Sequence, residues 1–152
     1  MATLEEILRE HPLFAGASGE QVRLVAGCGR NRLFRAGDYL CREGEPANEF
    51  FLIREGKVAL DIAAPGRGPI VFETLGVGDF VGDSWLVPPY RWTFDARAVG
   101  LTRTIGIDGA CLRGKCETDH EFGYEMMKRF LTPLVRRLQE HRLQILDVYG
   151  KH

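Results

Sequence analysis

The spacing of apolar positions changes twice along the chain, and each of the three regions is predicted to form helices or strands from its spacing. Over residues 1–30 they recur at helical spacing, in LEEILRE and in GEQVRLVA, and Ser18 with Gln21 forms a capping-box pattern. Over residues 31–107, short runs rich in Phe, Leu, Ile and Val alternate with turn residues, which is typical of β-strands. Over residues 108–149 helical spacing returns. The chain is therefore predicted to be a single domain with helices at both ends of a β region.

The β region predicts about eight short strands, a number typical of a closed or double-layered sheet. FFLIREGKVALDI predicts a hairpin with Glu55-Gly56 at its tip, because Gly56 supplies the positive φ that a tight turn needs. WTFDARAV and LTRTIGI are expected to be its last two strands. The predicted fold class is α+β, built on an antiparallel β-roll, that is, a jelly roll or double-stranded β-helix.

The C-terminal part predicts a short helix over ACLRGKC, capped by Asp108, and then a long helix from about residue 119 to residue 148. Pro133 lies inside the long helix and is expected to kink or interrupt it, since proline lacks a backbone donor. The residues that keep helical spacing are Phe122, Met126, Phe130, Leu134, Leu138, Ile145 and Tyr149.

Composition narrows the classes of function. Twenty basic residues balance twenty-one acidic ones, so the net charge of −1 gives no electrostatic footprint for nucleic acid. The N-terminus lacks a signal-peptide layout, and no apolar run approaches the length of a membrane span, so a soluble cytoplasmic protein is expected. Without CxxC spacing, the cysteines are expected to be reduced thiols rather than disulfides. They are Cys28, Cys41, Cys111 and Cys116.

No catalytic or metal site is predicted. The four histidines, His11, His120, His141 and His152, all lie outside the β region, which argues against a cupin-type metal site on the strands. No Ser-His or Cys-His motif is present. The sequence thus predicts a protein that is not an enzyme and has no cofactor.

Three segments together carry a resemblance to a known family. They are HPLFAGASGEQVRLVA, FRAGDYLCREGEPANEFFLIREGKVAL and GVGDFVGDSWLV, with Gly37, Gly44 and Gly56 at chain reversals. In this order they resemble the cyclic-nucleotide-binding domain, the sensor module of catabolite activator protein, of cyclic-nucleotide-dependent kinases and of gated channels. The resemblance covers residues 11–140 and implies a non-enzymatic sensor with a phosphate-binding cassette.

The cassette segment, residues 82–93, departs from the family's pattern. The resemblance implies a short helix whose N-terminus donates to a cyclic phosphate, a glutamate that accepts from a ribose hydroxyl, and an arginine on the next strand. This chain has Gly82, then Asp83 in place of the usual glutamate. Asp83 or Ser84 can equally cap the short helix. The candidate ligand-binding residues are Gly82, Asp83, Ser84, Trp85, Arg91, Trp92 and Thr93.

The position of the arginine is the sharpest departure. In ungapped register from Asp83, the family's arginine falls on Trp92, and Thr93 takes the neighbouring hydroxyl position. Because side chains alternate across a strand, Arg91 would then face the opposite side, where Asp95 and Arg97 offer an ion pair. Alternatively, Pro88 and Pro89 shorten the loop and return Arg91 to the pocket through a bulge.

Several functions remain open at this stage. The first is a sensor that binds a small ligand, with cAMP or cGMP as candidates, and forms a homodimer through the C-terminal helix. Leu138, Leu143, Ile145 and Leu146 need a partner in that layout. The second is a degenerate domain that binds no nucleotide and acts as a docking module. The third is the sensor part of a transcription regulator; the sequence ends before a helix-turn-helix, so direct DNA binding is not expected.

Overall fold

The computed structural model describes residues 2–150, in the order two helices, eight strands, two helices. The N-terminal part holds α1 (Leu4–Glu10), a 3₁₀ turn (Pro12–Phe14) and α2 (Gly19–Ala26). The strands are β1 (Gly29–Phe34), β2 (Tyr39–Cys41), β3 (Glu49–Glu55), β4 (Val58–Ala63), β5 (Pro69–Leu75), β6 (Phe80–Val81), β7 (Asp95–Ala98) and β8 (Thr102–Asp108). Helices α3 (Gly109–Thr118) and α4 (His120–Gly150) follow.

Local capping places the helices as the sequence predicts. Ser18 accepts from Gln21 N at 3.1 Å while the Gln21 side chain accepts from Ser18 N, so the predicted capping box is confirmed. Asp108 accepts from Cys111 N at 2.9 Å and begins α3. Helix α4 runs unbroken through Pro133, so the expected interruption does not occur. A single proline removes one backbone bond, and packing on both sides of it keeps the helix in place.

The strands form two four-stranded antiparallel sheets, which confirms the predicted roll. The first sheet has the order β1-β8-β3-β6 and the second the order β2-β7-β4-β5. The hairpin predicted for FFLIREGKVALDI is wrong, because β3 and β4 lie in different sheets. Gly56, at φ +93°, carries the chain from one sheet to the other, and a Cβ there would lie 2.5 Å from Leu101 O. Both edges of β3 are already paired, with β8 and β6, so β4 has no place beside it.

Two hydrophobic cores result from alternation along the strands. On β3, Phe50 and Leu52 face the helices, while Phe51 and Ile53 face the second sheet. The helix-side core joins strand residues to both groups of helices; its largest members are Phe14, Phe50, Phe80, Trp85, Phe122 and Phe130. The roll core lies between the two sheets and includes Phe34, Phe51, Ile53, Leu60, Leu75 and Trp92.

The expectation of four reduced thiols is wrong for one pair. Cys28 and Cys111 form a disulfide with a Cα–Cα distance of 5.7 Å, although 83 residues separate them in sequence. The fold brings the end of α2 beside the first turn of α3, a proximity that sequence spacing does not reveal. Cys41 and Cys116 are free thiols. Burial raises the pKa of both above the ordinary value, which keeps these two thiols protonated.

Candidate functional site: the segment between β6 and β7

The cassette segment follows β6 as a turn and not as a helix. Leu86 N donates to Asp83 O at 3.1 Å, and no helix is assigned between residues 82 and 93. The short helix implied by the resemblance is therefore absent from this part of the structure. Pro88 restrains Val87 away from helical φ and ψ, so a helix begun at Asp83 cannot continue past Leu86. The segment thus lacks the stacked N–H groups that a helix offers to an anion.

Trp92 points into the roll. Its side chain is 5% exposed and belongs to the roll core, where it contacts Phe94 edge-on at 5.7 Å between ring centroids. Backbone bonds on both sides hold it there, from Gly44 N to Trp92 O at 2.8 Å and from Trp92 N to Glu45 O at 3.0 Å. The indole lies against Gly82: a Cβ at Gly82 would be 2.6 Å from the Cη2 of Trp92. The indole therefore covers the glycine that begins the segment.

Arg91 points the other way. Its Nη1 donates to Gly44 O at 2.8 Å, and the side chain is exposed. The expected bulge therefore does not return Arg91 to the interior of the roll. Asp95 pairs with Arg42 at 3.7 Å and accepts from Glu43 N at 2.7 Å, so the ion pair expected on the Arg91 face is formed with Arg42. Trp92, the residue that the resemblance puts at the family's arginine position, lies in the roll core.

Trp85 links the segment to α4. It is fully buried in the helix-side core, stacked on Phe50 at 4.6 Å and edge-on to Phe130 of α4 at 5.1 Å. Its Nε1 has no hydrogen-bond partner among the described residues. Ser84 beside it is buried, and its hydroxyl reaches Asp83 at 3.5 Å. The structure therefore places Ser84 and Trp85 in packing positions between the roll and the helices.

A cavity of about 440 Å³ remains between the segment, β5 and α4. Gly82, Asp83 and Thr93 line it, and they are the three predicted site residues that the structure brings to one cavity. Its apolar wall consists of Leu60, Phe72, Phe94, Leu134 and Leu138.

The charges around this cavity come from residues that the sequence reasoning missed. Glu73 of β5 lies 3.6 Å from His141 and 4.0 Å from Arg137, both on α4. Arg137 also donates to Phe80 O at 2.9 Å, which directs its guanidinium to the roll. With Asp83 as a second carboxylate, the lining has no excess of positive charge. The spacing of Leu134, Arg137, Leu138 and His141 on one helix face was the available signal.

Between residues 2 and 150, no group of three or more His, Cys, Asp and Glu side chains is placed to hold a metal ion. His152 lies outside the described residues. No helix in that range has the length and apolarity to span a membrane. The cytoplasmic location stays a prediction.

Comparison with known proteins identifies the family. A profile of the cyclic nucleotide-binding domain matches residues 31–119, more than half of the chain. The chain belongs to the cyclic nucleotide-binding domain family. The match includes seven of the eight strands completely, β1 in part, and all of the cassette segment.

The proteins that are similar to this chain include a transcriptional regulator and an ion channel. The CRP-like cAMP-activated global transcriptional regulator of Mycobacterium tuberculosis is 24% identical over 150 residues, which are 97% of this chain and 66% of the relative. Cyclic nucleotide-gated ion channel 18 of Arabidopsis thaliana is 31% identical over 87 residues, 55% of this chain and 12% of the relative. This chain thus spans less than two thirds of each of these relatives.

A solved structure shows the same fold. A cyclic nucleotide-binding domain from Methylobacillus flagellatus superimposes with a TM-score of 0.80 at 22% identity, covering 95% of this chain and 81% of that one. At this identity the likeness concerns the fold alone.

Proposed function

We propose that this chain is a non-enzymatic regulatory module that forms a homodimer through α4, and whose cassette does not hold a cyclic phosphate in the family's manner. The observation that supports the proposal most strongly is the placement of Trp92, packed on Gly82 in the roll core. Arg91, the nearest cation in sequence, lies on the opposite face with Gly44 O as its partner.

Energetics favour this assignment over cAMP or cGMP binding. A charge-assisted hydrogen bond to phosphate contributes about 1.5–3 kcal/mol, so its loss weakens binding roughly tenfold to more than a hundredfold. The indole also fills the space in front of Gly82. We infer that the ligand site is the remaining cavity of about 440 Å³, that Gly82, Asp83 and Thr93 contact its occupant, and that this occupant carries no phosphate. Asp83 adds a negative charge to the lining, and Arg137, the arginine in that lining, is already paired with Glu73.

The homodimer is inferred from an apolar stripe of α4 that runs beside the face of the helix turned to the roll. One series of residues recurs every seven positions, Tyr124, Leu131, Leu138 and Ile145, and its members are 50–62% exposed. A second series, Met127, Leu134, His141 and Val148, lies between them. Alternating steps of three and four residues form the a/d seam of a left-handed coiled coil. A second copy of α4 would bury this stripe, so we assign it as the dimer seam.

Coupling between the segment and the seam runs through one helix. The inner face of α4 places Phe122, Met126 and Phe130 in the helix-side core, and Phe130 contacts Trp85 of the segment. The proposed seam runs next to this inner face, and its Leu134 and Leu138 also line the cavity. A rearrangement of the segment would therefore displace α4 and change the pairing of the two copies.

Sedimentation velocity tests the dimer. We expect the wild-type chain to sediment as a dimer at micromolar concentration, and Leu138→Lys or Ile145→Lys to give monomers because a charge would be buried in the seam. Gln139→Lys adds the same charge to α4 next to the seam and is the matched control. A wild-type monomer would reject this part of the proposal. A dimer that withstands both seam substitutions would show that its interface lies elsewhere.

A further inference from the structure

We propose that Cys28–Cys111 is a reversible thiol–disulfide site for a dithiol reductant, and that its redox state sets the mobility of the cassette segment through α3. The proposal goes beyond the proposed function and requires neither a ligand nor a dimer. It is carried by the position of the disulfide, its access to solvent, and the contacts of α3.

The disulfide joins two parts of the chain that meet at one point. Cys28 lies between α2 and β1, and Cys111 lies in the first turn of α3. Two hydrogen bonds accompany the covalent link: Asp108 N donates to Cys28 O at 2.8 Å, and Lys115 Nζ donates to Leu24 O at 2.6 Å. The disulfide is thus the covalent part of a small attachment that fixes the start of α3 to the N-terminal helices.

A reductant has access to this bond. Both cysteines line a surface cavity of about 430 Å³, together with Arg30, Asn48, Glu49 and Asp108. Cys111 is half-buried, whereas Cys28 is 8% exposed, so Cys111 is the more accessible of the two residues to a reductant. The two free thiols are poorer partners for exchange, because burial keeps both of them protonated.

The opposite side of α3 touches the cassette segment. Arg113 donates from Nη1 to Trp85 O, and its guanidinium lies 4.1 Å from the centre of the Tyr90 ring. At the start of the helix, Gly109 packs so closely on the segment that a Cβ would be 2.8 Å from the Cβ of Trp85. The first turns of α3 therefore bear the disulfide on one side and hold both ends of the 85–90 turn on the other.

The exchange balances without any further reactant. One thiolate of the dithiol attacks the Sγ of Cys111, the sulfur–sulfur bond breaks, and Cys28 leaves as a thiolate and takes up a proton. The second thiol of the reductant then attacks the reductant sulfur that is bonded to Cys111. This step closes the reductant's own disulfide and releases Cys111, which takes up a proton and becomes a thiol. Two electrons and two protons pass to the protein, and the reductant becomes a cyclic or internal disulfide. With the bond broken, the start of α3 is held by hydrogen bonds and packing alone.

Hydrogen–deuterium exchange of the full chain, with and without dithiothreitol, tests the coupling. Intact mass after alkylation in denaturant, which exposes the buried Cys41, is expected to show two labelled cysteines before reduction and four after it. Amides of residues 84–90 are expected to exchange about tenfold faster in the reduced chain, because local opening becomes easier. Cys116→Ser removes a free thiol from the same helix and is the matched control, with the same redox response as wild type.

Two variants separate the disulfide from its effect. Cys28→Ser with Cys111→Ser is expected to exchange like the reduced chain with or without dithiothreitol. Arg113→Ala is expected to keep the disulfide and to lose most of the redox response at residues 84–90. Four alkylated cysteines before reduction would overturn the site. A disulfide whose reduction leaves exchange at 84–90 unchanged would overturn the coupling, and this wild-type comparison holds even if a variant fails to fold.

Discussion

Trp85 and Trp92 lie in the same short segment, yet they enter different cores. Trp85 packs in the helix-side core between Phe50 and Phe130, and so attaches the segment to α4. Trp92 packs in the roll core on Gly82. One indole therefore joins the segment to the long helix, while the other joins the segment to the roll. On the proposed function, the difference teaches that a domain can keep the contact between the cassette segment and α4 while the phosphate position is filled by a side chain.

The largest effects are expected from removing either indole. Trp85→Ala and Trp92→Ala should each lower the free energy of unfolding by about 3–5 kcal/mol, because both leave a cavity in a packed core. Only Trp85→Ala should also speed hydrogen exchange in residues 122–130, since Trp85 shares its core with Phe122, Met126 and Phe130, whereas Trp92 belongs to the roll core. Urea denaturation and exchange mass spectrometry measure the two effects. Equal acceleration of exchange at residues 122–130 in both variants would contradict the assignment of the two indoles to different cores.

Gly82→Ala tests the contact between the segment and Trp92. Gly82 has φ +118°, and an added Cβ would be 2.6 Å from the indole, so overpacking of about 1–3 kcal/mol adds to backbone strain of similar size. Gly100→Ala is the control, because Gly100 has open space and no positive φ. Combining Gly82→Ala with Trp92→Phe should recover part of the loss in a double-mutant cycle. Strict additivity would show that the two residues do not touch.

Acid should lower the free energy of unfolding through His11, which lies next to the helix-side core that holds Trp85. Burial lowers the pKa of His11, whose Nδ1 accepts from Leu13 N at 3.2 Å while its Nε2 lies 3.3 Å from Asp79 O. The neutral ring is favoured in the folded chain, so stability is full above about pH 6.5 and falls as the pH drops below it, by at most about 1.4 kcal/mol per pH unit for one proton. His11→Asn should flatten this slope in urea titrations between pH 5 and pH 8. An unchanged slope would assign the loss to other groups.

Arg91→Ala is expected to have the smallest effect. The side chain is exposed and makes one hydrogen bond, to Gly44 O, so the loss should be about 0.5–1 kcal/mol or less. Arg97→Ala on the neighbouring strand provides a reference for a half-buried arginine. A loss above 2 kcal/mol would mean that Arg91 takes part in a network that its outward position does not suggest.

The sequence was sufficient for the parts of the fold that local chemistry decides. The predicted helix caps are present at Ser18, with Gln21, and at Asp108. The opposite directions of the Arg91 and Trp92 side chains follow from the alternation of side chains along an extended chain. It was insufficient where partners are distant in sequence. Glu55-Gly56 has the turn chemistry of a hairpin, but the pairing of β3 with β6 and β8 decides which strands are neighbours.

The site shows the same limit. Asp83 and Thr93 were found from the resemblance, and the structure brings both to one cavity. Glu73, Arg137 and His141 were missed because their approach depends on how α4 crosses β5. The Cys28–Cys111 pair was missed for the same reason, since its proximity is created by the contact of α2 with α3.

Calorimetric titration of the wild-type chain with cAMP tests the central claim most directly. If Trp92 occupies the phosphate position, we expect no saturable heat up to millimolar cAMP, and no rise in stability on thermal unfolding in the same mixture. A ligand at a hundred times its dissociation constant would add about 2.7 kcal/mol of stability, which is readily detected. Saturable binding of cAMP with a micromolar dissociation constant would contradict the account.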